Sequence, residues 1–235
     1  IKTIIYNLKF EFTFVSAIVL SACQSSTSSL ELPSIFSDNM VLQRNADVQV
    51  WGNSSSQTRI VVTFPWGQFD TTSEHDGSWN LAVPTADYDK AFTMEVCDDH
   101  SCITIQNIVL GEVWLASGQS NMEMPLKGWP PTEPIEDSSE EIVNADQYPL
   151  RFFKTALTVS HIPNTAVEGS WKVSNTINAP EFSATAYFFA KNLYRELNVP
   201  IGIINSSWGG TPVQSWADQS ALQTITAYTD ALESI

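Results

Sequence analysis

Between Leu32 and Val109 the apolar positions recur in short runs that turn residues interrupt. Met40-Val41-Leu42-Gln43 and Val48-Gln49-Val50-Trp51 come first, followed by Gly52-Asn53 and a serine run. Arg59 to Phe64 carries Ile60, Val61, Val62 and Phe64, a β-branched and aromatic segment. Asp76-Gly77 is a turn signal directly before Ser78 to Val83, in which Trp79, Leu81 and Val83 alternate with smaller or polar residues. Phe92 to Val96 and Ile103 to Val109 then flank a polar tip and predict a hairpin. No 3.6-residue periodicity appears in this stretch. It predicts a small β-sandwich of about 80 residues, residues 32–109.

At Gly111 the pattern changes. Glu112 to Ser117 is an apolar run ending in Gly118-Gln119-Ser120-Asn121, and Trp129 to Glu141 is a Pro-rich, acidic surface loop. Leu150 to Thr158 reads as a strand centred on Arg151-Phe152-Phe153. Ser183 to Leu197 predicts a helix: Ser183 can cap it, Ala184, Tyr187, Phe188, Lys191 and Tyr194 share one side, and Leu193 and Leu197 widen the stripe. Pro200 ends it, and Ile201 to Asn205 is a buried-type strand running into Ser206-Ser207-Trp208-Gly209-Gly210-Thr211. Strand, helix, strand is the grammar of a parallel α/β sheet, whose ligand sites lie beyond the carboxyl ends of the strands. Residues 110–235 are therefore expected to be an α/β region, with both Gly-containing loops at such ends.

Residues 1–31 have a different character. Lys2 and Lys9 precede an apolar run from Phe12 to Leu20, then Leu20-Ser21-Ala22-Cys23 and an all-Ser/Thr stretch from Ser25 to Ser29. These are the parts of an export signal followed by a flexible tether. The apolar run is shorter than the roughly 20 residues a membrane span needs. Leu-Ser-Ala-Cys is similar to a bacterial lipobox, which implies lipidation at Cys23 and a periplasmic, outer-membrane or cell-surface location. That use of Cys23 leaves Cys97 and Cys102 facing each other across the hairpin tip, where a disulfide is feasible in an oxidising compartment. Metal binding through His100 is the alternative, but it needs ligands the sequence does not supply.

Charge narrows the partners. Against 11 Lys and Arg stand 26 Asp and Glu, a formal charge of −15, which argues against nucleic acid or an anionic membrane surface. Hydrophobic residues at 43% and aromatics at 11% are enough for packed cores.

The chemistry suggested by the two loops is acyl transfer. A serine becomes a useful nucleophile when a base takes its proton and donors receive the negative charge of the tetrahedral intermediate. Ser120 follows a strand in a tight turn, and its own amide can donate to an oxyanion. Gly209 and Gly210 follow another strand, where the absent side chains let backbone amides approach a substrate oxygen. Met122 stands where a Gly-x-Ser-x-Gly elbow would have its second glycine, which speaks against the α/β-hydrolase pattern. Taken alone, each feature is also compatible with an ordinary loop serine and an ordinary turn.

Gly111-Glu112-Val113-Trp114-Leu115-Ala116-Ser117-Gly118-Gln119-Ser120-Asn121-Met122-Glu123-Met124-Pro125-Leu126 resembles the nucleophile block of sialate O-acetylesterases, which are SGNH (GDSL-like) hydrolases. Phe182-Ser183-Ala184 through Leu197, Val199 to Ile204, Ser207-Trp208-Gly209-Gly210-Thr211-Pro212 and the opening Leu32-Pro33 through Gln43 are similar to the same family. The resemblance implies a flavodoxin-like α/β/α catalytic domain carrying a β-domain. It also implies cofactor-free, metal-independent hydrolysis of acetyl esters on sugars, with acetylated sialic acid as substrate. By that resemblance Ser120 is the nucleophile and one oxyanion donor, and Gly209 or Gly210 supplies a second amide. Asn121 is expected to brace the turn.

The family's Gln-Gly-Glu and Asp-x-x-His blocks do not occur in this sequence. The histidines are His75, His100 and His161, and none is expected to follow the last strand of a sheet. The chain therefore reads as the N-terminal part of an esterase, with an incomplete sheet, inactive alone and marginally folded in its second half. Acetylated xylan or another polysaccharide is a second substrate reading. A non-catalytic, glycan-binding surface lipoprotein is a reading of another class.

Overall fold

One strand organises the molecule. In the computed structural model, which describes residues 30–86, 89–160, 164 and 166–225, ten strands and four short or medium helices are defined. The strands of the β-rich part are β1 (Val41–Gln43), β2 (Asp47–Asn53), β3 (Arg59–Phe64), β4 (Gly67–Thr72), β5 (Ser78–Pro84) and β6 (Phe92–Cys97). They lead into β7 (Cys102–Gly118), 17 residues long. Then come α1 (Ser120–Glu123), α2 (Ser138–Val143), β8 (Leu150–Thr155), β9 (Gly169–Val173), α3 (Ala184–Leu197), β10 (Ile201–Ser207) and α4 (Gln219–Gln223). The expected export signal with Cys23, and His161, lie outside the described residues.

The first half of β7 is antiparallel to β6 and the second half is parallel to β10, so the sheet order is β4-β3-β6-β7-β10-β8-β9. β1 pairs in parallel with the middle of β7, from Val41↔Val109 to Gln43↔Gly111. The expected boundary between residues 109 and 110 thus falls inside a continuous strand. β2 and β5 form a separate two-stranded antiparallel sheet. Their Val50, Trp79 and Val83 share one core with Ile60, Val62, Met94 and Ile105.

β8 and β10 show why their sequences carry unbroken apolar runs. Phe152 and Ile203 face α3 and pack with Tyr187, Ala186 and Ala190, whereas Phe153 and Ile204, one residue on, belong to the core shared with the β-rich part. Both faces of the parallel strands are covered, so alternation is lost. Ser183 caps α3 by accepting a hydrogen bond from the Ala186 amide at 3.2 Å, and Asn198 closes it in the left-handed conformation. Lys191 sits on the apolar side of this helix because Glu141 of α2 meets it at 2.5 Å, with both side chains largely buried.

Two contacts lock the halves together. Arg151 of β8 donates to the carbonyls of Met40 and Asn107, and burial pushes its guanidinium down to about 10, still positive at neutral pH. Glu112 of β7 accepts from Gln43 at 3.0 Å and from Arg44 at 2.9 Å. Among the described residues, positions 112–118 of β7 have β10 on one side and no strand on the other. Trp114 and Leu115 are 45% and 67% exposed there.

Candidate active site

The parallel pairing of β7 and β10 decides the geometry. Its register runs from Ile201↔Glu112 to Ser207↔Gly118, so both strands deliver their carboxyl ends to the same rim of the sheet. The Trp208 amide donates to the Gly118 carbonyl at 2.9 Å, which extends the pairing one step into the loops. The Ser120 turn and the Gly209-Gly210 turn are neighbours for this reason.

Gly118 leaves β7 with φ at 135°, a conformation that side-chain-bearing residues rarely adopt. The reversal lets α1 begin at Ser120 only two residues beyond the strand. The Ser120 amide, first in that single turn, has no intrahelical acceptor and donates to no backbone carbonyl among the described residues. The Ser120 hydroxyl is exposed and donates to Gln119 Oε1 at 3.2 Å. The Asn121 carbonyl accepts from the Thr185 hydroxyl at 2.7 Å, tying α1 to the first turn of α3.

On the neighbouring turn, a Cβ built on Gly209 would lie 3.4 Å from Ser120 Oγ and 2.4 Å from Glu123 Oε2. A side chain at 209 would displace the Glu123 carboxylate from its present position. The Gly209 amide donates to Glu123 Oε2 at 2.6 Å. Gly210 is different: a Cβ there would meet nothing within 4 Å, and among the described residues its amide donates to no protein group. Of the two glycines, one is tied down and the next is open.

The remaining sequence candidates lie elsewhere. His75 is in the β4–β5 connection and His100 at the β6–β7 tip, both exposed and on the β-rich part. Cys97 and Cys102 are joined through sulfur at 2.02 Å. Among the described residues one group of three metal-type donors gathers, Glu95, Cys97 and Cys102, and the sulfur–sulfur bond removes two of them. The contribution of Glu123 had no local sequence signal beyond its place in the matched string, because its partner is 86 residues away.

A sheet that brings a serine turn and a glycine pair together at the carboxyl ends of adjacent parallel strands defines an α/β protein with its candidate site at the sheet rim. No protein-family model matches the chain. Human sialate O-acetylesterase is 26% identical over 89% of this chain, and the rat enzyme of the same name is 26% identical over 78%. A carbohydrate acetylesterase from Xanthomonas citri superposes with a TM-score of 0.78 at 34% identity over 84% of this chain. By these likenesses the chain resembles the sialate O-acetylesterase family. It spans 43% of the length of the human relative and 44% of the Xanthomonas citri chain.

Proposed function

We propose that this chain carries the nucleophile side of a serine esterase site that removes acetyl groups from sugar hydroxyls. The observation that carries the reading is the closeness of Ser120 Oγ to Gly209, 3.4 Å from where a side chain would begin. Attack of Ser120 Oγ on the acetyl carbon forms a carbon–oxygen bond and pushes the carbonyl electron pair onto oxygen. The Ser120 amide and the Gly210 amide then donate to that oxygen. Gly209 is assigned a structural part, because its amide already serves Glu123. The acetyl carbon's bond to the sugar oxygen then breaks, the sugar leaves as its alcohol with the proton that the Ser120 hydroxyl gave up by way of solvent, and an acetyl-serine remains for water to hydrolyse.

Supporting this reading are the names of the relatives, sialate O-acetylesterase and carbohydrate acetylesterase. They make an acetylated sialic acid the first substrate class to consider, and uncharged acetylated glycans the second. In the same reading residues 32–109 are a β-sandwich scaffold and the parallel strands belong to an SGNH-type domain. Export with a lipid on Cys23 would place the reaction outside the cytoplasm.

None of the described residues offers Ser120 an imidazole to activate water, so an acetyl group delivered by a reactive aryl ester should persist on Ser120. The test is intact and peptide mass spectrometry after incubation with an aryl acetate. An acetyl group retained on Ser120 and absent in Ser120→Ala supports the proposal. Acetylation spread over lysines alone, equal in both proteins, refutes it.

A further inference from the structure

At the carboxyl ends of β8 and β10, on the same rim of the sheet as the Ser120 turn, lies a cavity of about 630 Å³. Its walls are the segment leaving β8, residues 155–160, and the segment leaving β10, from Ser206 to Trp216. The volume falls within the roughly 300–1,000 Å³ of small-molecule sites. Two indoles, Trp208 and Trp216, stand among hydroxyl groups that include Thr155, Thr158, Ser206 and Thr211. Among the described residues that line it there is no Asp, Glu, Lys, Arg or His.

The walls are held in place and joined to the nucleophile turn. The Trp216 indole N–H donates to Thr211 Oγ1 at 2.8 Å, and the Thr211 hydroxyl in turn donates to the Trp208 carbonyl at 2.7 Å. The Trp208 amide reaches the Gly118 carbonyl, two residues before Ser120. Thr155 fixes the other wall by donating to the Asn205 carbonyl at 3.3 Å. Trp216 keeps 37% of its surface open while its polar edge is already satisfied, so what it offers a ligand is the ring.

We propose that this cavity is a glycan subsite for an uncharged pyranose, with Trp216 as its platform. A pyranose ring presents apolar C–H faces and a rim of hydroxyls, which is the complement of an indole set among Ser and Thr side chains. A sialic acid ring carries a carboxylate, and taking an unpaired carboxylate out of water is costly. The chain's formal charge of −15 adds long-range repulsion of an anionic glycan. The inference rests on the esterase reading for its orientation: the acetyl group sits at Ser120 and the glycan extends over Trp208 toward β8. Of the two substrate classes considered, it selects the uncharged one.

The experiment is calorimetric titration of the whole chain carrying Ser120→Ala, with an O-acetylated xylo-oligosaccharide and with an O-acetylated sialic acid as the two probes. The expected result is saturable binding of the uncharged oligosaccharide, about tenfold or more tighter than the sialic acid. Adding Trp216→Ala should weaken that binding about tenfold, while Trp216→Phe, which keeps an aromatic face, should retain most of it. Circular dichroism on each variant separates loss of the ring from loss of the fold. Equal or tighter binding of the sialic acid, absence of binding by either probe, or full affinity in a folded Trp216→Ala would overturn the proposal. Because the titration uses a protein without its Ser120 hydroxyl, failure of the esterase chemistry leaves this binding result unaffected, and the two ideas can fail separately.

Discussion

The backbone amide of Gly209 donates to the carboxylate of Glu123 at 2.6 Å, a bond that joins the loop after β10 to the helical turn after β7. It closes a small ring of contacts, with the Trp208-to-Gly118 bond on its other side. The serine turn and the glycine turn are thereby held as one unit. Removing the carboxylate should loosen that unit without touching the hydroxyl. We expect Glu123→Ala to lower the rate of Ser120 acylation by an aryl acetate roughly 10- to 100-fold, the scale of a small misplacement at a reacting centre. Glu123→Gln keeps an acceptor oxygen and should lose far less. Mass-spectrometric acylation time courses on both variants check this.

Gly209→Ala tests the same contact from the opposite side. Its Cβ would sit 2.4 Å from Glu123 Oε2, so the carboxylate must swing away and the amide bond is lost with it. The expectation is an acylation defect as large as that of Glu123→Ala. Gly210→Ala has open space for its Cβ, and its cost should be backbone strain at φ of 79°, about 1 kcal/mol in stability, with a smaller effect on acylation. A denaturant melt and an acylation rate for each variant separate the two outcomes.

Glu112 predicts an acid limb in stability. Hydrogen bonds from Gln43, and then from Arg44, hold its carboxyl below its ordinary value of 4.5. A carboxyl depressed in the folded state stabilises above the unfolded value, and that contribution is lost as pH falls through the lower folded value. Melting temperature should therefore drop as pH is taken below about 4.5, and Glu112→Gln should flatten that part of the profile. At pH 7 the same variant should be less stable by about 1–2 kcal/mol, because charge-assisted bonds become neutral ones.

Lys191→Ala should be among the most destabilising single changes in the parallel region. It leaves Glu141 without its cation where both side chains are largely buried, at a cost of about 3 kcal/mol. The double variant Lys191→Met with Glu141→Leu should recover much of that loss, since no buried charge is left unpaired. Urea denaturation of the single and double variants measures the difference.

The elements that were legible in the sequence carry their own signals. The helix Ala184–Leu197 has its cap in Ser183 and its stripe in Ala184, Tyr187 and Lys191, and the strand after Pro200 is an unbroken apolar run. Two edge strands were not legible. In Gly67–Thr72 only Phe69 is a large apolar residue, and Gly169–Val173 is a strand because β8 lies beside it. The strand predicted over 150–158 ends at Thr155, and the residues beyond it line the cavity. Gly111 looked like a break, yet β7 passes straight through it because β1 ends its pairing there and β10 begins one residue later. At the site, Ser120 and the glycine pair stood out by their motifs. Glu123, Trp216 and Thr211 did not, since each acts through a partner that only the fold brings near.

The central claim is that one substrate oxygen is reached by the Ser120 and Gly210 amides at once. A crystal structure of the chain after reaction with a fluorophosphonate tests it directly, because the phosphonyl oxygen stands in for the oxyanion of the tetrahedral intermediate. The prediction is a covalent bond from Ser120 Oγ to phosphorus, with that oxygen about 2.7–3.1 Å from both amide nitrogens. An adduct on another residue, or one on Ser120 whose oxygen points to solvent beyond reach of the Gly210 amide, contradicts the account.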